Sequence, residues 1–350
     1  MPAPKVLVRA QSLRTLVTEV FVARGCKPTD AETIADTLVW ANLRGIDSHG
    51  VSRVPRYLEL FDKGDSAPDA EIEVSRLRSA IVLVDAHTAP GPVAMTRAAA
   101  EVVTAAAETG VAWAAVRGTV HTGAIGYYTT HIADAGMAGL GLVAGGPTMA
   151  YHGSRAVGVA TSPLSIAVPS PGRPVLLDMA TAVIALGRLA QLKASGTELA
   201  PGVALTKDGR PTTDPTEAAI PLPVGGAKGS GMSLLFELLA SGLVANPIVS
   251  RYHSDDPAGR RHRQNGALLA IDVSAFQPLG DFQAIVGDTV AAIKGLPRED
   301  ETREILVPGE RGDRSEEQRR ASGVPLGPKV WKELTDAATS LGIDVPDPIE

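Results

Sequence analysis

Hydrophobic positions over residues 11–25 recur at helical spacing and stop at Gly25, which predicts a first helix. Thr29-Asp30-Ala31-Glu32 has the form of a capping box, and the helix it opens is expected to run to Gly45. A third helical stretch follows Ser48 and ends near Gly64. Pro55 inside it predicts a kink or a two-piece helix, because proline lacks the N–H that the ladder needs. From residue 81 the period alternates. Ile81 to Val84, Val111 to Val116, Leu140 to Val143, Ser165 to Val168, Val175 to Leu177 and residues 267–273 have the pattern of strands. Residues 92–108, 124–136, 181–195, 231–244, 281–294 and 328–341 have that of helices. Helix and strand in alternation predict an α/β or mixed α+β architecture. Glycine and proline are dense at 145–174 and 196–231, with apolar runs between, which marks structured site loops rather than linkers. The charged run 298–320 is expected to be a solvated surface segment.

Composition narrows the class. A chain of 350 residues allows one large or two modest domains, and a net charge of −6 offers no global basic field to nucleic acid or anionic lipid. Arg260, Arg261 and Arg263 are expected to form a solvated loop. Cys26 is the only cysteine, so an intrachain disulfide and a multi-cysteine metal site are excluded, in keeping with a reducing compartment. Residues 1–10 lack the apolar core of a signal peptide. The apolar run Met232 to Ala245 is broken by Ser233, Glu237 and Ser241, and predicts a buried helix rather than a membrane span. The expectation is a cytoplasmic protein with no membrane or nucleic-acid partner.

The chemistry concentrates in Asp47-Ser48-His49-Gly50-Val51-Ser52-Arg53. A helix beginning near Ser48 would put His49 and Arg53 on one face. An imidazole moves protons near neutral pH, and an arginine fork grips a carboxylate by two parallel hydrogen bonds. The pair predicts a site that anchors a small organic acid and performs acid–base chemistry on it. A second histidine stands in Arg117-Gly118-Thr119-Val120-His121-Thr122-Gly123-Ala124, between a strand and a helix, where it is either catalytic or a hydrogen-bonded structural residue. Lys228, in the glycine-rich run Gly225 to Gly231 before a helix beginning at about Ser230, suits an anion or cofactor phosphate; the alternative is a tight turn into a buried helix. Asp178 is either an N-cap or an acceptor for a ribose or nicotinamide group. His87, His131, His152, His253 and His262 have no chemical neighbours in sequence and are expected to be structural or surface residues, with only His152 in a loop of interest. Gly139-Leu140-Gly141 lies within a strand-like segment, so the context of a Rossmann phosphate loop is missing. Walker spacing, a serine-hydrolase elbow and a paired-histidine zinc helix are also missing, and no metal is expected.

Taken in order, these segments resemble the malate/L-lactate dehydrogenase superfamily of the non-Rossmann type, which includes ureidoglycolate, sulfolactate and diketogulonate oxidoreductases and cyclic ketimine reductases. The matching residues are Asp47 to Val51 with Arg53, His121-Thr122-Gly123, Ala160-Thr161-Ser162-Pro163, Leu177 to Thr181 with Gly187, Asp208 to Pro215, Gly225 to Gly229 and Pro308-Gly309-Glu310. The resemblance implies a homodimer with an unusual NAD(P)-binding α/β fold. Residues 1–75 would form an N-terminal helical segment packing with the C-terminal part, 76–265 the NAD(P)-binding domain, and 266–350 a C-terminal segment completing the first domain. It implies that Ser48 and His49 serve proton transfer, that Arg53 holds the substrate carboxylate, and that Thr161 lies near the substrate. His121, Thr122, Gly123, Ala124, Asp178, Met179, Ala180, Lys228, Gly229, Pro308, Gly309 and Glu310 would contact NAD or NADP. His121 competes with His49 for the acid–base role.

The chain departs from the family pattern at Ser162 (usually asparagine), Ala182 (usually serine), Val224 (usually phenylalanine) and Tyr151 to Ser154 (usually Pro-Trp-Gly-Gly). Ketimine reductases tend to carry aspartate at position 188; here it is Arg188, a substrate-side residue that stays cationic and does not donate a proton. That favours a carbonyl/alcohol couple. The expected activity is hydride transfer between NAD(P)H and C2 of a small 2-oxo or 2-hydroxy acid. The alternatives are an NADPH-dependent cyclic ketimine reductase and a non-catalytic ligand-binding homologue.

Overall fold

The computed structural model describes residues 5–349. The chain begins with β1 (Val6–Val8), α1 (Ala10–Ala23), α2 (Pro28–Leu43), two 3-10 turns (Asp47–His49 and Val51–Arg53) and α3 (Val54–Asp62). Then come β2 (Glu73–Arg78), β3 (Ile81–Asp85), α4 (Gly91–Thr109), β4 (Val111–Thr119), α5 (Gly126–Asp134) and β5 (Met137–Gly145). Short strands β6 (Met149–Ala150) and β7 (Val157–Val159) precede β8 (Leu164–Val168), β9 (Val175–Met179) and α6 (Leu186–Ser195). A small sheet of β10 (Ala204–Thr206), β11 (Pro211–Thr212) and β12 (Ala218–Pro221) leads to α7 (Ala227–Glu237), which runs on as a π-helix (Leu238–Gly242). The chain closes with α8 (Val249–Tyr252), β13 (Gln264–Asp272), α9 (Leu279–Lys294), α10 (Glu310–Ser322), β14 (Val324–Leu326) and α11 (Pro328–Ser340). No helix among the described residues is long and apolar enough to cross a membrane.

The fold is mixed α/β, as the alternation of periods predicts. Its main sheet has the order β2-β3-β4-β13-β5-β8-β9. Only β3 and β4 pair parallel; the other neighbours are antiparallel. Alternate residues of β13 face opposite ways: Leu268 joins the core under α4 and α5 with Met95, Val102 and Ile132, whereas Ala267 packs with Ala144 and Ala240 beneath the π-helix. A separate core joins the two ends of the chain. Leu13, Val17 and Phe21 of α1 and Ile34 and Leu38 of α2 pack with Val324 and Leu326 of β14 and Leu334 of α11. Val6 pairs with Leu326 across β1 and β14.

The register sets where a site can form. Gln264, which opens β13, faces both Thr119 and Gly145, the last residues of β4 and β5. Leu164, which opens β8, faces Leu142 of β5 and Met179, the last residue of β9. Five strands therefore end or begin along one edge of the sheet. The loops that leave this edge are His121 to Ile125, Gly145 to Thr148, Thr161 to Pro163, Asp178 to Ala180 and Arg260 to Gln264.

Several local expectations change. Thr29 does not cap α2: the helix starts one residue earlier at Pro28, whose missing N–H needs no partner at the first position. His49 and Arg53 do not share an α-helical face. Gly50 is extended between the two 3-10 turns, and Pro55 falls in the first turn of α3, where proline starts a helix instead of kinking it. The glycine-rich run enters α7 at Ala227, not Ser230, and the helix expected from 181 starts at Leu186. The charged run 298–320 is not merely solvated. It contains most of α10, whose Glu316 is buried and binds Arg173 at 2.6 Å and Arg320 at 2.8 Å.

The helix α10 also fixes the turn that carries His49. Arg319 donates to both Asp47 carboxylate oxygens, at 2.6 and 3.2 Å. The buried Asn42 of α2 donates to Asp47 Oδ1 and accepts from the Val51 N–H, each at 2.8 Å. A Cβ on Gly50 would stand 2.1 Å from the Asn42 amide oxygen, so only glycine lets the turn pass this close. Asn42→Ala strands the buried Val51 N–H and is expected to cost about 2–3 kcal/mol, read as a lower urea midpoint with an unchanged slope.

Candidate active site

A cleft of about 1070 Å³ lies along the strand-end edge. Its walls are the five edge loops, the double turn before α3, the start of α6 from Ala185 to Gln191, and Gly309 to Gly312 at the start of α10. Most sequence-predicted residues meet there: Ser48, His49, Arg53, His121, Thr122, Gly123, Ala124, Thr161, Asp178, Met179, Ala180, Arg188 and Gly309. Lys228 and Gly229 do not line it; Lys228 is exposed on α7, and Gly229 is packed against Thr181 and Val224. Pro308 and Glu310 flank Gly309 without lining it, and Glu310 binds Lys294 at 2.5 Å. The loop region 196–231 contributes no lining residue, whereas 145–163 contributes eight.

Ser48 is the hub of the first group. Its Oγ lies 3.0 Å from His49 Nδ1, and its carbonyl accepts from Arg53 Nε at 2.6 Å. A Cβ on Gly187 would stand 2.2 Å from Ser48 Cβ, so α6 closes directly over this serine. With Nε so held, the two terminal nitrogens of Arg53 meet no protein acceptor among the described residues. The fork is pre-oriented and available to a carboxylate.

His121 is held from the other side. Tyr57 Oη lies 2.9 Å from His121 Nδ1, and the Gly123 N–H donates to the same nitrogen at 3.3 Å. Its backbone carbonyl packs on Gly91, where a Cβ would come within 2.2 Å. The rings of His49 and His121 are stacked, with centroids 5.4 Å apart and planes at 27°. Both are kept neutral. Burial, aided by the Arg53 charge, pushes His49 down to about 4, and burial, with Arg53 and His49 nearby, pushes His121 well below the usual imidazole range.

Asp178 does not cap the helix that follows it. Its Oδ2 accepts from the N–H of Gly126, the first residue of α5, at 2.8 Å, and burial raises its carboxyl to about 6. Arg44, not anticipated from sequence, donates to the Gly309 carbonyl at 3.1 Å, binds Asp313 at 2.5 Å and lies 5.2 Å from the Trp40 ring. The run Arg260 to Gln264, expected to be a bare solvated loop, forms a wall of the cleft. Gln264 accepts from the Thr122 N–H at 2.9 Å, and Arg263 donates to the Asp65 carbonyl at 3.0 Å. Its position just before a strand was the available signal, since loops at strand ends carry function. Tyr57, four residues after Arg53, carried no such signal.

These residues hold cations, neutral imidazoles and small backbone walls in one hollow. The family model for malate/L-lactate dehydrogenases matches residues 8–335. Malate dehydrogenase of Pyrococcus horikoshii is 30% identical over 342 residues, covering 95% of this chain and 94% of that one. The solved sulfolactate dehydrogenase of Methanocaldococcus jannaschii has a TM-score of 0.89 at 29% identity, covering 99% of this chain and 100% of that one. The solved Δ1-piperideine-2-carboxylate reductase of Pseudomonas syringae has a TM-score of 0.84 at 28% identity, covering 95% and 99%. The family match, the near full-length sequence similarity and the shared fold agree: the chain belongs to the malate/L-lactate dehydrogenase family.

Proposed function

We propose that this cleft performs reversible hydride transfer between NAD(P)H and C2 of a small 2-oxo acid, with Arg53 holding the C1 carboxylate and His49 moving the proton. Membership of the family makes the chain an NAD(P)-dependent hydroxy-acid dehydrogenase. The observation that carries the assignment of roles is the partner-free Arg53 fork beside two neutral imidazoles.

The lining fits a nicotinamide dinucleotide. The volume of about 1070 Å³ exceeds what a small acid fills. Gly145, Gly146 and Ala180 let a flat ring approach the backbone, and Arg44 and Arg311 offer positive charge near Gly309. Thr122 to Ala124, Asp178 to Ala180 and Gly309 would hold the cofactor, which supplies or accepts the hydride when bound.

The two imidazoles divide the work by what holds their Nδ1. A backbone N–H can only donate, so Gly123 keeps the neutral His121 protonated on Nε2. His121 is then a fixed donor that polarises the C2 oxygen. A hydroxyl can donate or accept, so Ser48 follows His49 through either state. His49 is thus the ring that can take the alcohol proton and return it. Burial is the larger cause of the low His49 pKa and the Arg53 charge the smaller; a carboxylate on Arg53 offsets the second, so the ring takes up a proton more readily when substrate is present. Arg188 is exposed, donates to Gln191 Oε1 at 3.2 Å and has no proton to give, which supports a carbonyl/alcohol couple over an imine.

The chain acts as a homodimer through α7 and its π-helical extension. Leu235, Leu238 and Leu243 are 57%, 52% and 67% exposed there, beside Leu234 and Leu239. A contiguous leucine face of this kind is a protein interface more often than free surface. The single cysteine, Cys26, is buried and unpaired, which suits the cytoplasm.

His49→Ala is expected to lower kcat by about 10²- to 10⁴-fold in stopped-flow assays while NAD(P)H binding survives; wild-type turnover in this variant would remove His49 from the mechanism. Arg53→Lys is expected to act mainly through KM, since a point charge cannot copy the fork. Because the His49 pKa is lowered, the neutral base persists into acid: kcat/KM for oxidation should fall only as the pH approaches about 4, not near the ordinary imidazole value. Leu235→Glu combined with Leu238→Glu should halve the mass seen by light scattering, to the 36.2 kDa of one chain.

A further inference from the structure

Tyr57 is a buried polar group that the proposed mechanism does not use. It stands one helical turn after Arg53, near the start of α3, and is 2% exposed. Its ring belongs to the core that joins the two ends of the chain, where it is tilted against Phe21 at 6.1 Å between centroids. It meets the His121 ring edge-on at 5.7 Å. Its hydroxyl is directed at His121: Oη lies 2.9 Å from the ring Nδ1 and 3.2 Å from the carbonyl oxygen. Tyr57 thus touches the side chain and the backbone of one residue.

The Gly123 N–H fixes which way these bonds run. It lies 3.3 Å from the same Nδ1 and can only donate. A hydrogen on Nδ1 would meet that N–H head-on, so Nδ1 presents its lone pair. Both atoms that the Tyr57 hydroxyl faces are then acceptors, and the hydroxyl is a donor. Burial, against a smaller opposing effect of the Arg53 charge, raises its pKa above the usual phenol range, so it keeps its proton. A donor on Nδ1 stabilises the neutral ring whose hydrogen is on Nε2. It also opposes proton uptake, which in that tautomer would have to occur at Nδ1.

We propose that Tyr57 is a positioning residue that locks His121 in the Nε2–H tautomer and so leaves proton transfer to His49. The inference rests on the proposed reaction, in which His121 is the fixed donor to the C2 oxygen. Tyr57 and Gly123 share the Nδ1 lone pair, and the tyrosine makes the shorter bond. Arg53 and Tyr57 stand four residues apart, so the grip on the C1 carboxylate and the hydrogen that polarises C2 are set from one element. His49 carries on its Nδ1 the Ser48 hydroxyl, which turns either way, and so remains free to change its protonation state.

The test is NMR of the enzyme carrying isotope-labelled histidine, with the His121 signals assigned as those lost in His121→Gln. In the wild type the hydrogen should sit on Nε2. A hydrogen on His121 Nδ1 would overturn the proposal, a result that needs no Tyr57 variant to fold. Tyr57→Phe keeps the ring in the core and removes only the hydroxyl. In this variant His121 should take up a proton at higher pH than in the wild type. Its kcat for reduction of 2-oxo acids, with NADH or NADPH, should fall roughly tenfold while KM changes less than about twofold. A fall in kcat with an unmoved His121 titration would mark a merely structural role and overturn the lock, as would wild-type kcat in the folded variant. Absence of turnover by the wild type with every 2-oxo acid would overturn the proposed reaction itself, on which the tautomer seen in the spectrum does not depend.

Discussion

The site depends on the Asp47 carboxylate. It accepts from Arg319 of α10 and Asn42 of α2, so it joins two helices remote in sequence to the turn that carries Ser48 and His49. Arg319 is mostly buried, at 15% side-chain exposure, and removal of its partner would leave a poorly solvated charge. Once the turn is fixed, the rest follows from its backbone. The Ser48 carbonyl sets Arg53, the Ser48 hydroxyl sets His49, and Gly187 brings α6 down on Ser48 itself.

Over this frame the cleft is built by dryness and charge together. Burial keeps the imidazoles neutral although each can bind a proton in water. The nearby guanidinium groups reinforce that, since a proton on any ring would add to an already positive field. A bound anion reverses the sign of this effect. A negative charge that the cleft attracts therefore also adjusts how readily these rings take up a proton.

The regular elements were legible because their signal is local. Six of the seven strands of the main sheet and most helices fall where apolar periodicity predicts them, the charged edge strand β2 being missed, and the turn with Ser48, His49 and Arg53 stood out by residue type alone. What escaped depended on contacts between distant segments. The inward face of α10 is ionic, so Glu316 and Arg319 gave no apolar period to detect. His262 and Gln264 reach the cleft only because β13 lies between β4 and β5. Asp178 serves a helix that begins 52 residues earlier, not the next one. The glycine-rich run around Lys228 had the composition of an anion loop, but nothing in it revealed that it packs behind Thr181, away from the cleft.

The position of β13 at the heart of the sheet has a consequence for biosynthesis. It is the last of the seven strands to leave the ribosome, yet two others depend on it for their hydrogen bonds. Until residue 272 has emerged, β4 and β5 each present a bare apolar edge, the kind of template on which nascent chains cross-pair. Those edges stay unpaired through the translation of residues 146 to 272, when the sheet exists in two unjoined halves.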